Sequence, residues 1–272
     1  MRSIKNAALL GLALLTPSAW AATTWNYGVG AFLDGASTPQ AQSASAYSTT
    51  GSGGTLLVAS ICNWGSSGYG IDNTSETGTC GSGSVVPQHS ADNSGQTDMF
   101  LLRFSSAVSL ASLTIGWNGT DNDTNPNTSG TQYADSDISV LAYTGNSNPV
   151  PIGGLTPGDL LINGWKAIGN YDSVGAQPGN TQAVNTTIFS SWWLISAYNS
   201  AFNVAGAEVS GSPAMGSNYN STTKANYDYF KLVSVAGTLP PPPPGVPEPG
   251  SLALVALALA GIAGARRKQQ AG

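Results

Sequence analysis

The sequence has few charged residues and very little histidine or cysteine. Asp, Glu, Lys and Arg make up 8% of its 272 residues, and there are one His and two Cys. A surface of salt-bridged helices needs far more Glu and Lys, so a mainly helical fold is excluded. Residues 22–245 hold 13 acidic and four basic residues, a net charge of −9. Because such a surface repels phosphate backbones, we expect no nucleic-acid partner.

The single histidine, His89, limits the catalytic chemistry that the chain offers. A Ser-His-Asp hydrolase needs a serine within reach of the histidine, and no Gly-x-Ser-x-Gly elbow is present. A glycosidase needs two carboxylates at the scissile bond, but the only glutamates of residues 22–245 are Glu76 and Glu208, in loop-like sequence. One histidine, with cysteines expected to pair, also argues against zinc. We expect no catalytic residues and no enzyme, with a secreted hydrolase as the alternative.

The N-terminal segment, residues 1–21, has the parts of a secretory signal peptide. Arg2 and Lys5 give a short positive region, and Ala7 to Leu15 is an apolar run. Nine residues are too few to span a bilayer but suit the core of a signal peptide. Small residues at Ala19 and Ala21 fit the pocket of signal peptidase. We expect cleavage after Ala21 and export of the rest of the chain.

The C-terminal segment combines a proline-rich spacer, an apolar run and a basic cluster. The spacer, residues 239–246, reads LPPPPPGV and precedes Pro247-Glu248-Pro249. Fifteen uncharged residues, 251–265, follow and end at Arg266-Arg267-Lys268. As a helix this run covers about 22 Å, against a hydrocarbon core of roughly 30 Å, whereas a permanent anchor is usually longer. Basic residues stay on the cytoplasmic side, which places residues 22–245 across the membrane.

This combination resembles the PEP-CTERM sorting signal of exosortase systems in Gram-negative bacteria. The resemblance covers residues 246–268 and rests on Pro247, Glu248, Pro249, a short Ala/Leu transmembrane helix, and Arg266, Arg267 and Lys268, which together predict a sorting signal over residues 247–272. It implies transient insertion into the inner membrane, processing by exosortase, and release to the cell surface or an exopolysaccharide matrix. The blocks DSDISVLAYTG and SSWWLISAYN also resemble the body of one exosortase-dependent surface-protein family. An ordinary short anchor is the alternative.

Short apolar segments bounded by Gly, Asn, Asp, Ser and Pro predict strands between the two signals. The segments are ATTWNYGVGAF, TLLVASICNW, DMFLLRFS, VSLASLTIGWNG, DISVLAYTG, LLINGWKAI, TIFSSWWLISAY and DYFKLVSVAG. In DISVLAYTG, apolar Val140 and Leu141 point to opposite faces, so we expect covering layers on both sides. The sequence predicts an all-β domain over residues 22–238, a jelly-roll-like two-sheet sandwich, with a closed barrel as the alternative.

Cys62 and Cys80 lie in the exported part of the chain, where disulfides form and persist. We expect them to pair with each other, since the chain has two cysteines. The bond would close a loop of about 19 residues and contribute roughly 3 kcal/mol in the chain-entropy description of disulfide stabilisation. Two free buried thiols are the alternative.

Two pairs of aspartates are candidate calcium ligands. Asp121 and Asp123 stand at alternate positions in an Asn-rich loop, as do Asp135 and Asp137 at the start of a predicted strand. If the loop folds back, four carboxylates gather oxygens around a hard cation such as Ca²⁺. Asx-rich turns without metal are the alternative, because they commonly bound strands.

Tryptophans are candidate contacts for polysaccharide. Trp192 and Trp193 are adjacent on a predicted strand, so their rings point to opposite faces. Stacking of an indole on a sugar face would suit a carbohydrate-binding protein, which is the alternative to a structural or adhesive role in biofilm. Burial in the core is the other expectation for these tryptophans.

Overall fold

Strands dominate the part of the chain that the structure describes, which confirms the all-β prediction. The computed structural model describes residues 24–33, 41–51, 53–74, 76, 80, 89–118, 136–146, 148–149, 151–174, 180–184, 186–202, 228–241, 254 and 256–259. The chain divides into a unit spanning Thr23–Pro240 and a second unit made of Met1–Ala22 and Pro241–Gly272. All strands named below lie in the first unit, which we call the β domain.

The described part of the β domain contains eleven strands and two short α-helices. The strands are β1 (Thr24–Gly28), β2 (Ala41–Thr49), β3 (Leu56–Asn63), β4 (Tyr69–Asp72), β5 (Ala91–Asp92), β6 (Asp98–Asn118), β7 (Ser136–Tyr143), β8 (Trp165–Val174), β9 (Thr181–Ala183), β10 (Ser190–Ala197) and β11 (Tyr229–Thr238). The helices are α1 (Gly30–Leu33) and α2 (Pro157–Ile162), and 3₁₀ turns lie at Gly65–Ser67 and Ser200–Phe202.

Two sheet regions share the long strand β6. Its residues 98–104 pair with β2 and β10, and its residues 109–118 pair with β11. Strand β3 likewise pairs with β2 through residues 56–59 and with β4 through residues 60–63. Since β4 also pairs with β11, the strands β2, β3, β4, β11 and β6 close a hydrogen-bonded ring. The two sheet regions are therefore continuous at β3 and β6, which the two-sheet prediction did not include.

Apolar side chains cover both faces of the sheet region formed by β2, β6, β7, β8 and β10. Phe100 and Val140 belong to the main core, together with residues of β11 and of the second half of β6. Leu141 faces the other way and joins Leu160 of α2 and Phe202 in a second core. Full burial of each such side chain contributes about 1.5–3 kcal/mol. The predicted covering layers on both sides are thus confirmed at β7.

The segment LLINGWKAI, predicted as one strand, begins inside a helix. Residues 160–162 end α2, and β8 starts only at Trp165. A capping box starts the helix: Thr156 Oγ1 accepts the Asp159 N–H at 3.2 Å, and the Asp159 carboxylate accepts the Thr156 N–H at 2.9 Å. Pro157 at the first helical position suits this start. The signal, Thr-Pro-Gly-Asp, is present in the sequence, so the strand prediction was wrong here for a recognisable reason.

Candidate functional site

The sorting segment is described only in part. Leu254 and residues 256–259 are helical, and Leu254, Leu257 and Leu259 are exposed. The other predicted signal residues lie outside the described residues: Pro247, Glu248, Pro249, Arg266, Arg267, Lys268, and Ala19 and Ala21 of the N-terminal cleavage site. Across the residues that the structure describes, no helix combines the length and the apolar character that crossing a membrane requires.

The predicted disulfide between Cys62 and Cys80 is present. Their Cα atoms lie 5.2 Å apart, within the range that disulfide geometry allows. Cys62 is buried on β3, whereas Cys80 is exposed in the segment that follows β4. The bond therefore fastens this segment to the sheet.

Three of the four predicted calcium ligands, Asp121, Asp123 and Asp135, lie outside the described residues. Asp137 lies in β7, where its backbone N–H donates to the carboxylate of Asp228 at 2.7 Å. The calcium site consequently stays a prediction.

The two adjacent tryptophans of β10 point to opposite faces of the sheet, as predicted. Ser190 accepts a hydrogen bond from each of them. The Ser190 hydroxyl donates to the Tyr143 carbonyl at 2.7 Å and accepts the Trp192 N–H at 3.0 Å, at a bulge in the pairing with β6. The Ser190 carbonyl accepts the indole N–H of Trp193 at 3.0 Å. Trp193 is fully buried in the main core, so the proposed sugar contact does not fit this residue. Trp192 is half-buried and remains a candidate.

Trp192 lines a groove of about 250 Å³ on the β domain. Tyr143, Phe189 and Trp192 supply its aromatic groups, and Thr144, Asn148 and Ser191 are among its polar residues. None of the described residues that line it is charged. The guanidinium of Arg103 lies over the Trp192 ring, 4.9 Å from the ring centroid. In such a groove, aromatic rings can pack against the apolar C–H groups of a sugar. Hydroxyl and amide groups can form hydrogen bonds with its O–H groups.

A second cluster surrounds His89 at the end of β4. The His89 side chain is 2% exposed, and its Nδ1 lies 3.4 Å from a carboxylate oxygen of Asp72 and 3.7 Å from one of Glu76. Sγ of Cys62 and the ligand atoms of Asp72 and His89 lie within 4.8 Å of one another. Because Cys62 is in the disulfide, its sulfur is not a thiolate. The Trp64 ring stacks on the imidazole, with the ring centroids 6.0 Å apart.

Two buried aspartates, Asp92 and Asp98, lie next to this cluster. Burial raises the pKa of both carboxyls well above the usual range, and repulsion from Asp98 adds to the rise at Asp92. Glu76 repels both, and its own pKa is raised mainly by burial. Asn73 donates to Asp98 at 3.1 Å. The sequence did not predict this carboxyl cluster, because Asp72, Asp92 and Asp98 lie apart along the chain and only the fold brings them together.

Comparison with known protein families supports the predicted C-terminal sorting signal. Residues 245–268 match the family described as the PEP-CTERM protein-sorting motif. The predicted resemblance covered nearly the same residues, and its central triplet is Pro247-Glu248-Pro249. Searches of curated proteins and of solved structures gave no match. The chain therefore carries the PEP-CTERM protein-sorting motif at its C-terminal end, the mark of an exported, exosortase-dependent protein.

Proposed function

We propose that the processed chain is a structural or adhesive protein of the cell surface or of an extracellular exopolysaccharide matrix. The sorting motif at residues 245–268 carries this proposal, since it directs a chain to export and processing. Signal peptidase and exosortase are its processing partners, and inner-membrane insertion is transient.

The β domain suits such a role because it has a disulfide, a closed ring of paired strands and few charged residues. A disulfide and a closed set of strand pairs favour persistence outside the cell, where conditions are oxidising and disulfides persist. Most of its polar residues carry neutral hydroxyl or amide side chains, and these groups hydrate well and bind sugar hydroxyls.

A non-catalytic role fits the position of the single histidine. His89 is buried beside Asp72 and Glu76, so its imidazole is not presented to a substrate on the surface. A general base needs to reach the proton that it removes.

Fractionation of a host culture tests the proposed location. We expect the chain in the extracellular matrix fraction, with an intact mass that lacks the residues beyond the Pro-Glu-Pro triplet. Deletion of the gene should reduce cohesion of the biofilm without altering growth of dispersed cells, and expression of the complete chain should restore it. Mature protein confined to the periplasm, or unchanged cohesion after deletion, would contradict the proposal.

The groove at Trp192 supports carbohydrate binding as a second candidate function. Three aromatic rings, those of Tyr143, Phe189 and Trp192, share it with hydroxyl and amide groups. Two glycines leave room for the Tyr143 ring: a side chain at Gly145 would collide with its hydroxyl, and a Cβ at Gly164 would lie 2.9 Å from the ring. The glycines at these two positions therefore give the Tyr143 ring the space that it occupies beside the groove.

Trp192→Ala is expected to weaken binding of the host's purified exopolysaccharide by about tenfold or more, because each tenfold corresponds to about 1.4 kcal/mol and a central tryptophan commonly contributes more. Co-sedimentation with the insoluble polymer measures the change. Trp117→Ala is a matched control, since Trp117 is also half-buried, also lies beneath a cation, Lys231, and is not part of the groove. Equal losses in both variants, or no loss at Trp192, would remove the groove as a sugar site.

A further inference from the structure

Asp92 and Asp98 are two neighbouring carboxyl groups that are buried without a cation. Asp92 is the last residue of β5 and Asp98 the first of β6, and their exposed fractions are 4% and 0%. The backbone N–H of Asp92 donates to a carboxyl oxygen of Asp98 at 3.3 Å. Among the described residues, no Lys, Arg or His forms an ion pair with either carboxyl. Two buried charges of the same sign without a counter-charge are very costly, so at least one of these groups is expected to be neutral.

The hydrogen-bond donors that the structure shows at the pair are neutral groups. The Asn73 side-chain amide donates to Asp98 at 3.1 Å, and the Ser94 backbone N–H donates to Asp92 at 2.9 Å. The Ser90 side chain also forms a hydrogen bond with the Asp92 carboxyl. None of these donors neutralises a negative charge. A proton on either carboxyl removes one charge and supplies one more donor.

The charged neighbours on the β4 side add to the cost of ionising both aspartates. Glu76 repels both of them, and Asp72 in turn repels Glu76. The imidazole of His89 directs its Nδ1 at Asp72 and Glu76, at 3.4 Å and 3.7 Å. A second charge on the pair would therefore be placed beside a carboxylate cluster.

The other elements packed around the pair provide no cation. At the start of β11, the titratable neighbours are Asp228, which accepts the side-chain amide of Asn93 at 2.6 Å, and Tyr229, which stands opposite Asp92. Strands β2 and β10, which pair with this end of β6, contain no charged residue. The arrangement therefore favours a bound proton at the pair.

We propose that Asp92 and Asp98 hold one proton between them and act as a proton switch, which keeps β5 attached to the sheet while the proton is bound. Strand β5 has two residues and pairs with β11, Ala91 opposite Phe230 and Asp92 opposite Tyr229. When the proton leaves, two like charges remain buried beside Glu76, so this end of the β domain should open before the rest. The switch goes beyond the surface role and does not depend on it.

The switch stabilises the fold at low pH and weakens it as the pH rises. Burial raises the pKa of both aspartates in the folded chain well above the value of about 3.9 that an unfolded chain has. Above that value the folded chain holds more protons than the unfolded chain, and the added stability is lost as the pH rises through the folded-state pKa. For one extra proton, the equilibrium constant for unfolding rises about tenfold per pH unit. Burial also raises the pKa of Glu76, which acts in the same direction.

Urea unfolding of the full-length chain between about pH 5 and pH 8 measures this slope, in mild detergent with the disulfide oxidised. We expect the constant of the parent to rise about tenfold per pH unit within this range. Asp92→Asn combined with Asp98→Asn keeps the shape of a neutral pair, so this variant should fold, lose that slope and exceed the parent in stability at the upper end. Hydrogen exchange of residues 89–98, corrected for the intrinsic rate, should quicken with pH in the parent and not in the variant.

Asp137→Asn is the control, because it removes a half-buried strand carboxylate that does not belong to the pair. Its slope should equal that of the parent. Infrared spectroscopy of the parent at about pH 6 keeps the test decisive if the double variant does not fold, since a protonated carboxyl should absorb there while exposed carboxyls are ionised. Equal slopes in the parent and the folded double variant would overturn the proposal. Absence of a protonated carboxyl in the parent, or an equal loss of slope in Asp137→Asn, would also overturn it.

Discussion

Replacing Cys62 and Cys80 together by alanine is expected to lower the free energy of unfolding by about 3 kcal/mol. The two residues are 18 positions apart, so the cross-link removes many conformations from the unfolded chain. A domain of this size loses about 2–4 °C of thermal midpoint per kcal/mol, so the midpoint should fall by about 6–12 °C. Circular dichroism followed through a thermal ramp measures the change.

Reduction of the parent protein provides the control for this substitution. Dithiothreitol should bring the midpoint of the parent down to that of the double variant and leave the variant unchanged. Cys80 is exposed, so the reductant reaches the bond directly, while Cys62 stays covered. If oxidised and reduced parent melt at the same temperature, the bond contributes nothing to stability and the expected loss is wrong.

Strand β6 shows what periodicity reveals and what it misses. The sequence predicts two strands, DMFLLRFS and VSLASLTIGWNG, but the structure has one strand from Asp98 to Asn118. Alternation breaks at Ser105 and Ser106, which are exposed. The pairing of β6 with β2 ends just before them, at Phe104, and its pairing with β11 begins just after them, at Ser109. When a strand changes its partner strands, the pattern of buried residues changes although the strand continues. A single sequence does not show which strands pair.

Strand β2 was not predicted from the sequence, because its residues lack a clear strand pattern. AQSASAYST has small side chains and little intrinsic β propensity, so it resembles a loop. Two of its alanines, however, stand opposite the two phenylalanines of β6: Ala46 opposite Phe100, and Ala41 opposite Phe104. Small residues suit this place because their neighbours are large, and this complementarity exists only between strands. Single-sequence patterns cannot reveal it.

The candidate sites show the same division between local and long-range information. Alternation along a strand is local, and it predicts correctly that Trp192 and Trp193 point to opposite faces. The groove needs Tyr143 from β7 beside β10, which only the sheet order provides. His89 meets Glu76 across 13 residues, after β3, β4 and the disulfide have shaped the segment. The sequence identifies the histidine but not its neighbours.

Substituting Ala for all three residues of Pro247-Glu248-Pro249 is expected to block processing almost completely. The triplet lies in the matched sorting motif, and exosortase dependence follows from that motif. An unprocessed chain keeps residues 251–265 and the cations Arg266-Arg267-Lys268, so it should remain in the inner-membrane fraction at full length apart from its signal peptide. Intact-mass analysis of membrane and medium fractions from a host with an active exosortase measures the outcome.

Three alanines at residues 241–243 form the matched control, because they change as many positions of the tail but leave the triplet and the apolar run intact. Proline-rich segments act as spacers, and the substituted positions lie outside the matched motif at residues 245–268, so this variant should be processed and released like the parent. A second strain without exosortase should retain parent and variant alike. Release of the triplet variant with the mass of the mature parent would show that cleavage does not read Pro-Glu-Pro, and the apolar run with its cations would then be the whole signal.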